Sequence, residues 1–554
     1  MNEKNSKVEE VFQSALKKHK ENNFEIAEKL YCQILDIDNN HVKTVFLLGT
    51  LYAQIRNLTS AKKLLTKATQ IDPNYADAYY NLGNVLKELK EFEEAINCYE
   101  KTININPNNA DANNNLGNLL KESGEEKKAI PYYEKAIEIN PNYANSYNNL
   151  GVIYQNLEDF EKAINFYKKA IEILPNFAEA YYNLGNVFKI SGQFDKSIIA
   201  YSHAIKYNSN NLVYFYILSE LKSEILNSDL KKKILTILNN KNSSELNIAY
   251  ANFLLADYEK QEKNYEKEFN YLLKAHLSYF KYNKERFHKG THYWLNLLPN
   301  IEKLSNIKKS NINFTEKDKK INPIFIIGVP RCGSTLVEKM IASGKEFIPI
   351  GEETGIIGLV VKDFIVNKSE ELDLKKIQSI IYEKYDKREL FLEKKNYIFT
   401  DKSLDNFFYL DLIQKIFPNA KIINCNRDAL SSIMSIIKNN LNDVPWAHNI
   451  EHIFNYFDIY YKKIENFKEK FPSHIYDLKY ENLVNDPMNE SKKLLEFCNL
   501  EWDKRCLEFY KRKLISKTAS NIQIRKPVYK DSIKKYLDYK VFFKEYENKY
   551  SWFY

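Results

Sequence analysis

The densest chemistry in this chain lies in Gly328-Val-Pro-Arg-Cys-Gly-Ser-Thr335. It overlaps the apolar run Ile324-Phe-Ile-Ile-Gly-Val, which reads as a short buried strand, and a helical pattern follows from about Ser334 to Ser343. A turn of this kind aims backbone N–H groups and the N-terminus of the next helix at one point, a cradle for phosphate oxygens. Gly333 lets the chain approach an anion closely. In a loop of the G-x-x-x-x-G-K-[ST] type, a lysine would stand where this chain has Ser334, and Arg331 inside the loop is the fixed cation instead. No apolar strand ending in aspartate stands out as a magnesium partner. The group transferred is therefore not expected to be the γ-phosphate of a nucleotide.

Other residues invite weaker readings. His448-Asn-Ile-Glu-His452 has an H-x-x-E-H spelling, but no third ligand emerges and no metal is expected. His288 and His292 read as a polar helix face. Cys332 lacks a His–Asp arrangement to activate it, so it serves as a small side chain rather than a nucleophile. The aromatic cluster 454–461 reads as helix core, because the basic groove that accompanies base stacking is missing.

A second motif gives the loop a context. Ala420-Lys-Ile-Ile-Asn-Cys-Asn-Arg427 reads as a strand, followed by Asp428 and a helix carrying Ser435. Together with Val329-Pro-Arg-Cys-Gly-Ser-Thr-Leu-Val-Glu338, it resembles the sulfotransferases that use 3′-phosphoadenosine 5′-phosphosulfate (PAPS), and among them the tyrosylprotein sulfotransferase-like branch. The resemblance covers roughly residues 322–540 and implies a 5′-phosphosulfate site at Arg331, Cys332, Gly333, Ser334 and Thr335. It also implies a 3′-phosphate site at Arg427 and Ser435, and eight helical residues do return Ser435 to nearly the same face. Gly351-Glu-Glu-Thr354 looks like the catalytic-base segment, placing the base at Glu353, with Glu352 its neighbouring alternative. Thr400-Asp-Lys402 looks like the catalytic-lysine segment. Asp477-Leu-Lys-Tyr-Glu-Asn-Leu-Val484 assigns Tyr480 to the cofactor. Thr518-Ala-Ser-Asn-Ile-Gln-Ile-Arg-Lys-Pro527 resembles a late closing loop, with Ser520 stabilising the transition state and Lys526 and Lys535 beside the nucleotide. The reaction implied is sulfuryl transfer from PAPS to an acceptor hydroxyl, leaving PAP and requiring no metal.

Two departures concern the acceptor. Gly355 stands where tyrosylprotein enzymes carry an arginine that gathers acidic substrate, and Asn439 stands where they add a cofactor-side arginine. Tyrosine remains one acceptor among several. A non-catalytic scaffold that binds PAP and a nucleotide-dependent kinase are the rival readings.

These residues need a scaffold, and 554 residues exceed one ordinary core. Hydrophobic residues make up 44%, enough for packed domains, while the net charge of +8 is slight for a chain of this length. A chain-wide nucleic-acid footprint is not expected. No signal peptide or uninterrupted apolar span is evident, and the six cysteines form no Cys-x-x-Cys pair. A reduced, cytoplasmic setting is the expectation.

The first 210 residues announce their architecture. Gly49, Gly83, Gly117, Gly151 and Gly185 recur every 34 residues, as do Ala27, Ala61, Ala95, Ala129 and Ala163, and Pro73, Pro107, Pro141 and Pro175. The units 7–40, 41–74, 75–108, 109–142, 143–176 and 177–210 resemble tetratricopeptide repeats. That resemblance implies a helical superhelix with a concave groove. Asn81, Asn115, Asn149 and Asn183, with Asn84, Asn118 and Asn186, fall on its inner wall, where amides suit a peptide backbone. The expected architecture is an α-solenoid followed by an α/β P-loop-like sulfotransferase domain with a mostly parallel sheet. Its segments are the repeat array 1–210, a helical bridge and linker 211–320, and the catalytic domain 321–554. The partner expected is a protein or peptide acceptor held by the repeats, and a homodimer is compatible with the sequence.

Overall fold

A computed structural model describes residues 2–300, 315, 320–366, 374–391, 397–512, 523–528 and 536–553. The chain divides into two compact units, Met1–Val187 and Phe188–Tyr554.

The first unit is built from antiparallel helix pairs, from Asn2–Lys20 with Phe24–Ile37 through Ala144–Asn156 with Phe160–Ile173. The periodic residues have separate jobs. A methyl group added at Gly83, Gly117 or Gly151 would lie 2.8, 2.8 or 2.5 Å from the ring of Tyr99, Tyr133 or Tyr167 on the second helix of the same pair. Glycine is required there because a fully buried tyrosine lies flat against its backbone. The prolines act through the residue before them. Asp72, Asn106, Asn140 and Leu174 take extended backbone angles and end the helices at Ile71, Ile105, Ile139 and Ile173.

The asparagine ladder forms, and its amides bond between repeats. Asn115 donates to the Asn84 side-chain oxygen at 3.1 Å, and Asn149 donates to that of Asn118 at 3.0 Å. Tyr99 and Tyr133 donate to the same two oxygens, each at 2.7 Å. Asn81 reaches Thr50 and Asn183 reaches Asn148. These amides lock adjacent repeats together, so part of their bonding capacity is already used.

The second unit opens with helices including Leu212–Leu221, Glu245–Gln261 and Tyr265–Tyr282, followed by a four-stranded parallel sheet. Its strands are β1 (Ile321–Gly328), β2 (Tyr397–Asp401), β3 (Lys421–Asn426) and β4 (Ile475–Lys479), in the order β2-β1-β3-β4. β1 is buried over almost its whole length, as expected for a central parallel strand covered on both faces.

The segment read as a packing bridge belongs to the same hydrophobic core as the sheet. His276 Nδ1 lies 3.0 Å from His448 Nδ1, with both rings buried. Asn440 donates to the Tyr250 hydroxyl, and Lys438 pairs with the buried Glu268 at 3.2 Å. Of the charged run 308–320 read as a linker, only Thr315 and Lys320 lie within the described residues.

Candidate active site

All four strands end at one edge, and each delivers a polar residue there. Parallel register brings Phe325 opposite Asp401, Gly328 opposite Cys425, and Asn426 opposite Lys479. The residues just beyond the strand ends therefore converge: the loop after β1, Lys402 after β2, Arg427 after β3 and Tyr480 after β4.

The loop after β1 is shaped by two left-handed residues, Arg331 (φ 72°) and Gly333 (φ 98°). At Gly333 a Cβ would strike the Tyr480 ring at 2.4 Å, so only glycine lets the β4 end close against the loop. Arg331 is a non-glycine residue in a region that costs about 1 kcal/mol or more. Three contacts hold it. Its carbonyl accepts from Arg427 at 2.9 Å, its Nε donates to Ser435 Oγ at 3.0 Å, and its Nη2 donates to the Gln523 side-chain oxygen at 3.1 Å. The Arg427 guanidinium lies 4.8 Å from the centre of the Tyr480 ring. Arg331, Arg427, Ser435 and Tyr480 thus form one cluster. Two residues beyond Gln523, Arg525 donates to the Ile190 carbonyl at 2.9 Å.

Lys402 is buried, with 1% of its side chain exposed, among carboxylates. Its Nζ is 3.5 Å from Glu352 and 3.6 Å from Glu353. Burial pulls its pKa down, but Glu338, Glu353 and Glu352 together hold the ammonium above its ordinary value. The segment before these glutamates runs beside β2, through Thr400 N–H to Pro349 O and Lys402 N–H to Gly351 O, each at 3.0 Å. The two glutamates have different surroundings. Glu352 is 11% exposed and also lies 3.7 Å from the buried Lys339. Glu353, at φ 52°, is 54% exposed and faces the cleft.

β2 does end in an aspartate, Asp401, although none stood out in the sequence as a magnesium partner. Tyr397-Ile-Phe-Thr-Asp401 is short and follows a charged stretch. The Asp401 carboxylate accepts from Tyr385 at 2.6 Å, Thr354 at 2.7 Å, Asn406 at 3.0 Å and the Ser403 N–H at 2.9 Å. Those bonds make it an anchor for the turn that presents Lys402.

Three cavities run in series along this edge. The first, of about 680 Å³, is lined by Arg427, Ser435 and Lys438, and on its other side by Tyr216, Glu220 and Asp257. It shares Arg331, Arg427, Tyr480 and Gln523 with a second, of about 180 Å³, which holds Ser334, Thr335, Lys402, Glu353 and Lys526. The second shares Glu353, Pro330, Leu404 and Val444 with a third, of about 210 Å³. Arg331 stands at one junction and Glu353 at the other.

Most residues singled out in the sequence meet in this series. Cys332 does not line it, because its thiol is buried beside Gly328 and Cys425. Ser520 and Lys535 lie outside the described residues. His448 sits in a 3-10 turn, separated by the extended cap Asn449 from the helix that carries His452. The spelling therefore does not place the two rings on one helix face. Sequence reasoning missed Gln523, the buried Glu338 and Lys339, and the bridge residues Tyr216, Glu220 and Asp257. No periodicity marks them, and only tertiary packing brings them to the cleft.

Each of the two parts matches a known family. The profile of the Sulfotransferase family matches residues 323–504, and tetratricopeptide repeat profiles match segments from 42 to 199. The chain carries a sulfotransferase-family domain preceded by tetratricopeptide repeats. An uncharacterized protein of Aquifex aeolicus (strain VF5) is 30% identical over 323 residues, covering 55% of this chain and 41% of that protein. The chain thus spans less than half the length of this relative. Among solved structures, MamA is 33% identical and matches 29% of this chain and 93% of its own, at a TM-score of 0.28. YrrB, described as a TPR protein with an unusual peptide-binding site, is 23% identical and matches 34% of this chain and 96% of its own, at a TM-score of 0.30. No helix among the described residues is long and apolar enough to cross a membrane.

Proposed function

We propose that the protein is a PAPS-dependent sulfotransferase acting on an acceptor hydroxyl, on a protein or peptide brought by the repeats 1–210. The observation that carries this reading is the chain of cavities joined at Arg331 and Glu353. A bisphosphate donor needs cationic and hydroxyl groups at two separated points, and the residues present fit that demand. Arg427 and Ser435 supply one point and Ser334 and Thr335, at a helix N-terminus, supply the other, with Arg331 between them and bonded to Ser435. The all-helical segment 211–300 contributes a wall to the donor side, and 321–554 contributes the chemistry.

PAPS, when bound, supplies the sulfuryl group: its S–O bond to the 5′-phosphate breaks as the acceptor oxygen bonds sulfur, and PAP leaves with the bonding pair. Glu353 accepts the proton of the acceptor hydroxyl, a role its open carboxylate suits better than the enclosed Glu352. Lys402 and Ser520 stabilise the negative charge left on the departing phosphate, and a buried ammonium is effective there because little water screens it. Tyr480 and Lys526 line the cleft that would hold the nucleotide; the roles of Ser520 and Lys535 rest on the family resemblance alone. All six cysteines are free thiols, which accords with a reducing, cytoplasmic setting.

Incubating the chain with ³⁵S-labelled PAPS and cell extract, alongside calorimetric titration with PAP, tests the reading. Label entering a macromolecule or small alcohol without added magnesium is expected. PAP binding with no transfer to any acceptor would leave a scaffold, and magnesium-dependent transfer from γ-labelled ATP would establish a kinase.

A further inference from the structure

The third cavity has a chemistry of its own. Its walls include Trp294, Trp446 and Tyr456, and its polar groups include the carboxylates of Glu353, Asp405 and Asp443. Among the described residues, no lysine, arginine or histidine lines it. Trp446 and Tyr456 are stacked with ring centroids 3.7 Å apart and planes 14° apart, both almost wholly buried, so this aromatic wall is rigid. Trp294 comes from the helical segment Tyr293–Leu297, outside the sheet domain. Asp443 lies at the rim, where it also meets Arg286 at 3.4 Å, with both side chains largely exposed. That contact is screened by solvent. The Lys402 ammonium, 3.6 Å from Glu353, lines the neighbouring cleft, so carboxyl groups still outnumber cations around this pocket.

The electrostatics point the same way. Burial, and then the negative charges of Asp401 and Glu353, push the Asp405 carboxyl up to about 7. A carboxyl raised partly by neighbouring anions reports a negative local field, which an entering cation relieves and an entering anion worsens. Aromatic faces set beside carboxylates are also the combination that attracts ammonium and guanidinium groups, through ring quadrupole and ion pairing together.

Resting on the sulfuryl-transfer reading above, we infer that this pocket receives the acceptor and selects a hydroxyl compound that carries a positive charge. A cationic phenol, or a hydroxyl side chain flanked by lysine or arginine, fits it, and acidic acceptors are turned away. Glu353 belongs to both this pocket and the loop cleft, so an acceptor seated here presents its hydroxyl to the base.

Three phenols of nearly equal shape test this: tyramine (cationic), 4-ethylphenol (neutral) and 3-(4-hydroxyphenyl)propionate (anionic). Their binding is read by tryptophan fluorescence of the PAP-loaded chain, because Trp294 and Trp446 line the pocket. Tyramine is expected to bind about tenfold or more tighter than the anionic phenol, with the neutral one between. Asp443→Asn, at an exposed position, and Asp405→Asn should each shrink that ratio several-fold. Equal or tighter binding of the anionic phenol overturns the inference, as does the absence of binding by all three at millimolar concentration. The same phenols are then offered with ³⁵S-labelled PAPS. Cationic preference in binding with no label in any phenol would leave the pocket inference standing and remove the transferase reading.

Discussion

The two units use sequence distance in opposite ways. In the first, the contacts that shape a repeat join near neighbours: Gly83 to Tyr99 within a pair, Asn84 to Asn115 between pairs. Each contact recurs with the same spacing, and losing one removes a small share of the total. In the second, Arg331 meets Ser435 across 104 residues and Gln523 across 192. None of these contacts has a copy elsewhere. A repeat array is redundant and tolerant of change, whereas a site assembled from four strand ends depends on each of them.

That contrast can be broken most severely at the base and the lysine. Glu353→Gln is expected to lower turnover on the order of 10²- to 10⁴-fold while PAP affinity stays unchanged, measured by ³⁵S transfer and calorimetry. In a melt its thermal midpoint should fall less than that of Glu352→Gln, because Glu353 is half exposed and, among the described residues, pairs with Lys402 alone. Glu352→Gln should act instead on stability, because it leaves the buried Lys339 and Lys402 short of a counter-charge. If the two variants exchange phenotypes, the base has been misplaced. Lys402→Met should cost about 10²-fold or more in turnover. Because Lys402 stays charged to above its ordinary value, its deprotonation should cause no loss of wild-type activity below pH 10.

In the repeats the expected effects are smaller and silent at the site. Gly151→Ala places a methyl 2.5 Å from the Tyr167 ring and should cost about 1–3 kcal/mol. Gly124→Ala meets no neighbour within 4 Å but sits at φ 82°, so only backbone strain of about 1 kcal/mol is expected. All four tryptophans lie in the second unit, so the loss should register in helical circular dichroism before tryptophan fluorescence. A change in PAP affinity in either variant would break the proposed separation between array and site.

The smallest effect concerns pH. Burial holds the Glu338 carboxyl up to about 7, against an ordinary 4.5, despite the opposing pull of Lys402 and Lys339. Between those values the folded chain binds more protons than the unfolded one. The stability associated with this group is thus fully present below 4.5 and is lost as pH rises through 7. Glu338→Gln cannot ionise and can still accept from Thr400, which donates to Glu338 at 2.9 Å. A flatter dependence of the fluorescence melting midpoint between pH 4.5 and 8 is expected, and an unchanged slope would place the proton elsewhere.

Much of the architecture was legible in the residues, for reasons that differ by region. A 34-residue period is visible because each repeat must solve the same packing problem with the same small residue. The phosphate loop is visible because strand, glycine turn and helix follow one another without interruption. The anchoring role of Asp401 at the end of the short β2 was not legible, since five residues ending in an aspartate carry little pattern, and the bridge was read as packing alone. Its Tyr216, Glu220 and Asp257 reach the donor-side cavity only through the fold.

By itself, the sequence determined the repeat spacing, the anion-cradling turn and the residue types able to move a proton or hold a phosphate, because each is written in local order. Tertiary structure alone decided which glutamate stands open and which is locked between lysines, that the strand-ending aspartate anchors a turn, and that two tryptophans and three carboxylates enclose one pocket. Burial and charge environment belong to the assembled fold, because neighbours distant in the chain create them.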